Sequence, residues 1–401
     1  MGPKPNYGSP SQRQWSLLEQ VKQLHREAVT HRKAGRFAEA LDLLHEAEKL
    51  APNNTFVLGD LGYIHRKRHE YSLAASYFLR ALKVQPANKF ILDGLAITYR
   101  EMGDFPQAIH YFKQNLALEP TNKQALDGLA ITYREMGKYD AAIETYEEKL
   151  RLYPKDKEAL DGLAITYREM GAYQQALHYF QQNLAGDPTN KQALDGLAIT
   201  YREMGDFPQA LHYFKQKLAL EPRDKQALDG LGITYREMGD YPQAIHYFQQ
   251  KLALEPTNKQ ALDGLAITYR EMGDFPQALH YFKQNLDLEP TNKQALDGLG
   301  ITYREMGDFP QALHYFQQKL ALEPTNKQAL DGLAITYREM GDYQQAIHYF
   351  QQNLAGDPTN KQALDGLAIT YREMGDYQQA IHYFQQNLAG DPTNKQALDG
   401  L

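Results

Sequence analysis

Three residue types recur in a fixed order along this chain. Nine aspartates (Asp93, Asp127, Asp161, Asp195, Asp229, Asp263, Asp297, Asp331, Asp365) are each followed four residues later by isoleucine (Ile97, Ile131, Ile165, Ile199, Ile233, Ile267, Ile301, Ile335, Ile369). Seven residues after each aspartate stands an arginine (Arg100, Arg134, Arg168, Arg202, Arg236, Arg270, Arg304, Arg338, Arg372). Carboxylate, branched alkyl group and guanidinium suit the gripping of a protein segment, with apolar contact on the isoleucines and charge pairing on either side. They do not suit bond-breaking chemistry. One set copied into nine places is unlike an active site, and no nucleophile elbow, phosphate loop or metal motif accompanies it. Eight histidines (His110, His178, His212, His246, His280, His314, His348, His382) also keep a common place. Neighbouring ones should lie about 10 Å apart, whereas metal ligands converge within a few ångströms. The expectation is an exposed polar row, with no metal, no cofactor and no enzyme activity.

Composition narrows the class. Hydrophobic residues make up 42% and charged residues 23% of the 401, the balance of a folded chain rather than a disordered one. No apolar run reaches the length of a membrane span, and the opening MGPKPNYGSPSQRQW holds no signal-peptide stretch. A cytoplasmic location without a membrane partner is therefore expected. Cysteine is absent, which excludes disulfides, cysteine–zinc sites and thiol catalysis. The net charge of −7 is uneven: residues 1–88 hold 13 Lys+Arg against 8 Asp+Glu, and residues 89–401 hold 30 against 42. A long acidic body argues against nucleic acid, which needs a continuous basic track.

The elements that position these residues follow from a period. Asp-Gly-Leu returns at intervals of 34 from Gly94 to Gly400, and a proline keeps the same beat from Pro52 to Pro392. Eleven full repeats fit between Val21 and Asn394, and Lys395–Leu401 begins a twelfth. In the repeat 259–292, Leu262, Leu265, Ala266 and Tyr269 fall at helical spacing on one face. Gly273 stops that helix, because glycine adopts the left-handed C-cap without penalty. Asp274 caps the next, with Gln277 at capping-box spacing and Pro276 in the first turn. Ala278, Leu279, Phe282 and Leu286 form the second apolar stripe, and Pro290 ends it. Thr291, three residues before Gln294, offers a further capping box. Two helices of about 12–15 residues are marginal alone, so each pair must stack on its neighbours.

This pattern resembles the tetratricopeptide repeat family: Leu262-x2-Leu265-Ala266-x2-Tyr269, then Ala278-x3-Phe282, then Pro290. The resemblance runs from about Val21 to the end. It implies an all-α fold, a right-handed superhelical α-solenoid of stacked helix–turn–helix repeats, whose first helices line a concave surface. Two departures stand out. The family's tryptophan is Leu262 here, and its small residue before Leu286 is Asn285, or lysine at Lys217, Lys251 and Lys319. The larger polar residue is expected to change the packing of successive repeats. Gly186, Gly356 and Gly390 replace a late leucine and are expected to loosen their helices.

The expected organisation is a disordered tail at 1–10, a divergent cap and two repeats at 11–88, nine near-identical repeats at 89–394, and a truncated repeat at 395–401. Ser11 is the expected cap of a long first helix, with Trp15, Leu18 and Val21 closing that end of the stack. The divergent repeats carry Glu27, His31 and His65 at places that are apolar or aromatic elsewhere.

On the concave face the resemblance implies, the aspartates, isoleucines and arginines form three parallel lanes, and the glycine beside each aspartate leaves the backbone open to close approach. The functional expectation is a protein-interaction scaffold that binds a peptide or protein segment. The bland alternative is that Asp early and Arg late in each helix only complement its dipole. The chaperone-tail clamp of the family uses Lys and Asn at these places. Asp263, Gly264 and Ile267 stand there instead, so acidic chaperone tails are not expected partners. Two other readings compete: head-to-tail self-association of a structural repeat protein, from the basic start and acidic body, and the docking region of a larger enzyme continuing beyond Leu401.

Overall fold

A computed structural model describes the backbone of residues 10–401 and the side chains of residues 17–401. Among the described residues there are 23 α-helices and no strand: eleven successive pairs and a final short helix, Lys395–Gly400. The chain divides into two compact units, Met1–Thr200 and Tyr201–Leu401. Each is an all-α solenoid segment in which helix pairs stack in series. No helix among the described residues is long and apolar enough to cross a membrane.

One pair shows why the sequence folds this way. The first helix, Lys259–Met272, ends at Gly273, whose φ of +86° lies in the left-handed region. The second helix, Phe275–Leu288, begins where Asp274 accepts a hydrogen bond from the Gln277 amide, with Pro276 in its first turn. Nine further glycines occupy the same stop with positive φ, and His69, at φ +62°, is the one non-glycine residue among those described that does so. Predicted cap Thr291 is displaced: Asn292 caps the following helix, accepting from the Gln294 and Ala295 amides. Asparagine one place later reaches both orphan N–H groups at once.

The core is a row of interlocked repeats. Phe282 is 1% exposed and is buried with Ala266 from its own repeat and Leu299 from the next. Its ring lies against Gly298, where an added Cβ would come within 2.3 Å. The glycine after each lane aspartate therefore admits an aromatic ring from the preceding repeat, phenylalanine at eight places and Tyr146 at Gly162. This corrects the expectation that it leaves backbone open to a ligand. Tyr269 stacks on Tyr281 at 5.6 Å within the repeat, and Arg270 reaches Glu305 of the next repeat at 3.8 Å.

Other expectations at the ends and seams also change. The first helix starts at Pro10, one residue before predicted cap Ser11. Val21 is buried at 2%, but Leu18 is 45% exposed and closes nothing. The side chain of Trp15 and the proposed tail at 1–9 lie outside the described residues. Helices bearing Gly186, Gly356 and Gly390 run the same 14 residues as their counterparts, so the late glycine does not shorten them. The divergent repeats keep an apolar core around Leu44, Leu61 and Phe78 and add a polar network to it. Asp60 accepts from His25 Nε2 at 2.8 Å and pairs with Arg32 at 2.9 Å, while buried His65 stacks on Tyr77 and bonds Glu70.

Candidate functional site

Within each unit the backbones of successive first helices come together along the stack, as Lys259–Met272 and Lys293–Glu305 do, whereas those of successive second helices stay further apart and meet through side chains, as Arg80 meets Glu48 at 2.6 Å. Helices that meet across a stack lie on its inner side, so the first helices line a groove. In the second unit, Asp297, Asp331 and Asp365, Ile301, Ile335 and Ile369, and Arg304 and Arg338 border one cleft of about 410 Å³. Asp263, Ile267 and Arg270 border an adjoining one with Asp297, Ile301 and Lys319. In the first unit, Ile97, Ile131 and Ile165 are half-buried on the same face of their helices. In each of the nine repeats the isoleucine remains partly accessible, so each unit carries an apolar row flanked by charge.

The aspartates are not free-standing. Their residues are mostly buried, and in eight repeats the aspartate receives a hydrogen bond from the second helix of its own repeat. Asn115, Asn183, Asn285, Asn353 and Asn387 donate at 2.6 Å to Asp93, Asp161, Asp263, Asp331 and Asp365. Lys149, Lys251 and Lys319 do the same for Asp127, Asp229 and Asp297 at 2.6–2.8 Å. These asparagines and lysines are the residues that depart from the family's small residue. The change in packing expected from them is realised as a buried polar tether between the helices of one repeat. Sequence reasoning noted the substitution and missed its partner. The available signal was that only Asn and Lys, both able to donate to a carboxylate, exchange there from Asn115 to Asn387.

Electrostatics follow from this pairing. Burial pushes Asp93, Asp161, Asp263 and Asp331 up to about 6, only partly offset by the asparagine hydrogen bond. Burial also raises Asp127, against the opposing pull of Lys149. Lys149 itself is 1% exposed; burial disfavours its charge, but Asp127 and Asp156 together outweigh that and hold its pKa above the usual lysine value. The arginines are engaged as well: Arg100 with Glu135, Arg134 with Glu169, Arg236 with Glu271 and Arg304 with Glu339 at 3.7–3.9 Å.

The histidine row is exposed and points away from the groove. His246 and His314 share hydrogen bonds with Gln250 and Gln318 one turn on, and each ring of the row meets the edge of the following tyrosine, as in His280–Tyr281 at 5.2 Å. No cluster of three or more His, Asp or Glu that could hold a metal occurs among the described residues.

The tetratricopeptide repeat model matches residues 90–155, 125–189, 260–324 and 328–392, more than half of the chain. The chain belongs to the tetratricopeptide repeat family. Further models of the same family match 25–89, 167–232 and 227–260. No curated protein matches this tetratricopeptide array in sequence. Among solved structures, a tetratricopeptide repeat protein from Parabacteroides merdae is similar at 20% identity, covering 62% of this chain and 99% of its own, with a TM-score of 0.53. Yeast Tom70 is similar at 16% identity over 95% of this chain and 94% of its own, with a TM-score of 0.50. At these identities the likeness is one of fold. Family membership supports a protein-interaction scaffold.

Proposed function

We propose that this tetratricopeptide array is a non-catalytic scaffold that holds a segment of a partner protein along the face of its first helices. The carrying observation is the row of half-buried isoleucines at the floor of the groove, with Ile301, Ile335 and Ile369 sharing one cleft. A partly exposed apolar row repeated in every unit offers area that a partner's side chains can cover. The polar groups beside it are already hydrogen-bonded within the fold, which lowers the ordering needed on binding.

The test is affinity capture followed by mass spectrometry, with the array and with a variant carrying Ile267→Ser, Ile301→Ser, Ile335→Ser and Ile369→Ser. Loss of the captured protein from the variant, with its helical content intact, is the expected result. Equal capture by both removes the groove from the account.

A further inference from the structure

The charge that the groove shows to a ligand depends on which residue stands behind each aspartate. In the second unit the arginines are balanced by the next repeat: Arg236 by Glu271, Arg270 by Glu305, Arg304 by Glu339 and Arg338 by Glu373. The lysines that open the first helices are tied as well, Lys259 to Glu289, Lys327 to Asp357 and Lys361 to Asp391. Asp229 and Asp297 are neutralised at 2.8 Å by Lys251 and Lys319, each buried. Asp263, Asp331 and Asp365 instead receive the neutral amide of an asparagine on Oδ1, and Asp365 a second, longer one from Asn394 on Oδ2 at 3.4 Å. A neutral donor satisfies a hydrogen bond but leaves the charge. The isoleucine groove therefore carries negative charge at the asparagine-bearing repeats and almost none at the lysine-bearing ones. The first unit repeats the pattern, with Asp93 and Asp161 on asparagine and Asp127 between them on Lys149.

We infer that the asparagine-bearing repeats are the cation-accepting subsites of the groove and the lysine-bearing repeats neutral spacers, so that the partner is a protein segment with Lys or Arg set into an apolar run. This rests on the groove reading above and adds the chemistry of the partner. Its spacing follows from the stack. First helices of adjacent repeats lie about 10 Å apart, and an extended chain rises about 3.3 Å per residue. Cations opposite Asp263, Asp331 and Asp365 then fall about six and about three residues apart. Like charge on the ligand at those places is disfavoured, so the pattern excludes acidic segments as well as attracting basic ones.

The experiment is selection from a displayed library of random segments about twelve residues long, run on the array, on the Ile→Ser variant, and on N285K/N353K/N387K. That last variant installs an arrangement the fold already uses in its lysine-bearing repeats. Enrichment of Lys and Arg over Asp and Glu is expected on the unmodified array. The enriched segments should bind N285K/N353K/N387K about tenfold more weakly or worse, and K251N/K319N more tightly. An enriched pool that is neutral or acidic, or one whose binding survives the asparagine-to-lysine change within about twofold, overturns the charge assignment while the groove stands. A pool that binds the Ile→Ser variant as well as the unmodified array, or no enrichment at all, overturns the groove reading and this inference with it.

Discussion

Acidification should stabilise this protein between about pH 7 and pH 5, the opposite of the usual response of a carboxylate-rich chain. Asp93, Asp161, Asp263 and Asp331 sit mostly buried with one neutral donor each, and burial lifts them to about 6. Unfolded, they return to the ordinary aspartate value near 3.8. The folded state then binds protons more tightly than the unfolded one. The resulting stabilisation is complete below the unfolded value and is lost as pH rises through 6. At full burial the gap corresponds to about 3 kcal/mol per carboxylate. Burial is incomplete, with Asp263 and Asp331 bordering open clefts, so roughly half of that survives screening. Opposing groups act lower on the scale. Asp187, Asp357 and Asp391, held at about 2 by lysine and threonine hydrogen bonds, keep their contribution until the pH falls below about 4. The assay is hydrogen exchange of the first helices Lys89–Glu101, Lys157–Glu169, Lys259–Met272 and Lys327–Glu339 across this range, which reads each repeat separately, as a linear array requires. Protection should rise on acidification and become flat in the Asp→Asn variants at the four positions. Protection that is unchanged or falls in the unmodified protein would refute the burial argument.

Three further outcomes follow from particular contacts. Gly298→Ala places a Cβ 2.3 Å from the Phe282 ring and should cost about 1–3 kcal/mol of local stability, whereas Gly300→Ala brings a Cβ to 2.7 Å from the Phe316 ring, which can shift toward Gly332 into the seat Phe282 already takes between Ala266 and Gly298, and should cost less than about 1 kcal/mol; denaturant midpoints compare the two. His69→Gly relieves a left-handed non-glycine residue at a stop held elsewhere by glycine and should raise stability by about 1 kcal/mol, read as a higher melting temperature. Lys319→Met leaves the Asp297 carboxylate without its cation and should destabilise its repeat by roughly 1–3 kcal/mol, while Lys319→Asn recreates the Asn353–Asp331 pairing next door and should be mild; thermal unfolding at neutral pH separates them.

The period, the helix pairs, the stop at Gly273, the cap at Asp274 and the burial of Leu262, Leu265 and Phe282 are legible in the sequence because each depends on residues within one or two turns of each other. The isoleucine row is legible for the same reason: helical periodicity places Ile267 off the buried stripe. Contacts between helices are not. Asp263 and Asn285 stand 22 residues apart on different helices, and only the rotation of one helix on the other, set by how Phe282 seats beside Ala266 and Leu299, brings amide to carboxylate. Gly264 reads alone as open backbone, yet the ring that occupies its space comes from Phe248 of the preceding repeat. Local periodicity determines which face of each helix is apolar. Packing against a neighbour decides which polar groups on the other faces are spent on the fold and which retain charge for a partner, because hydrogen bonds and ion pairs are settled within a few ångströms in three dimensions.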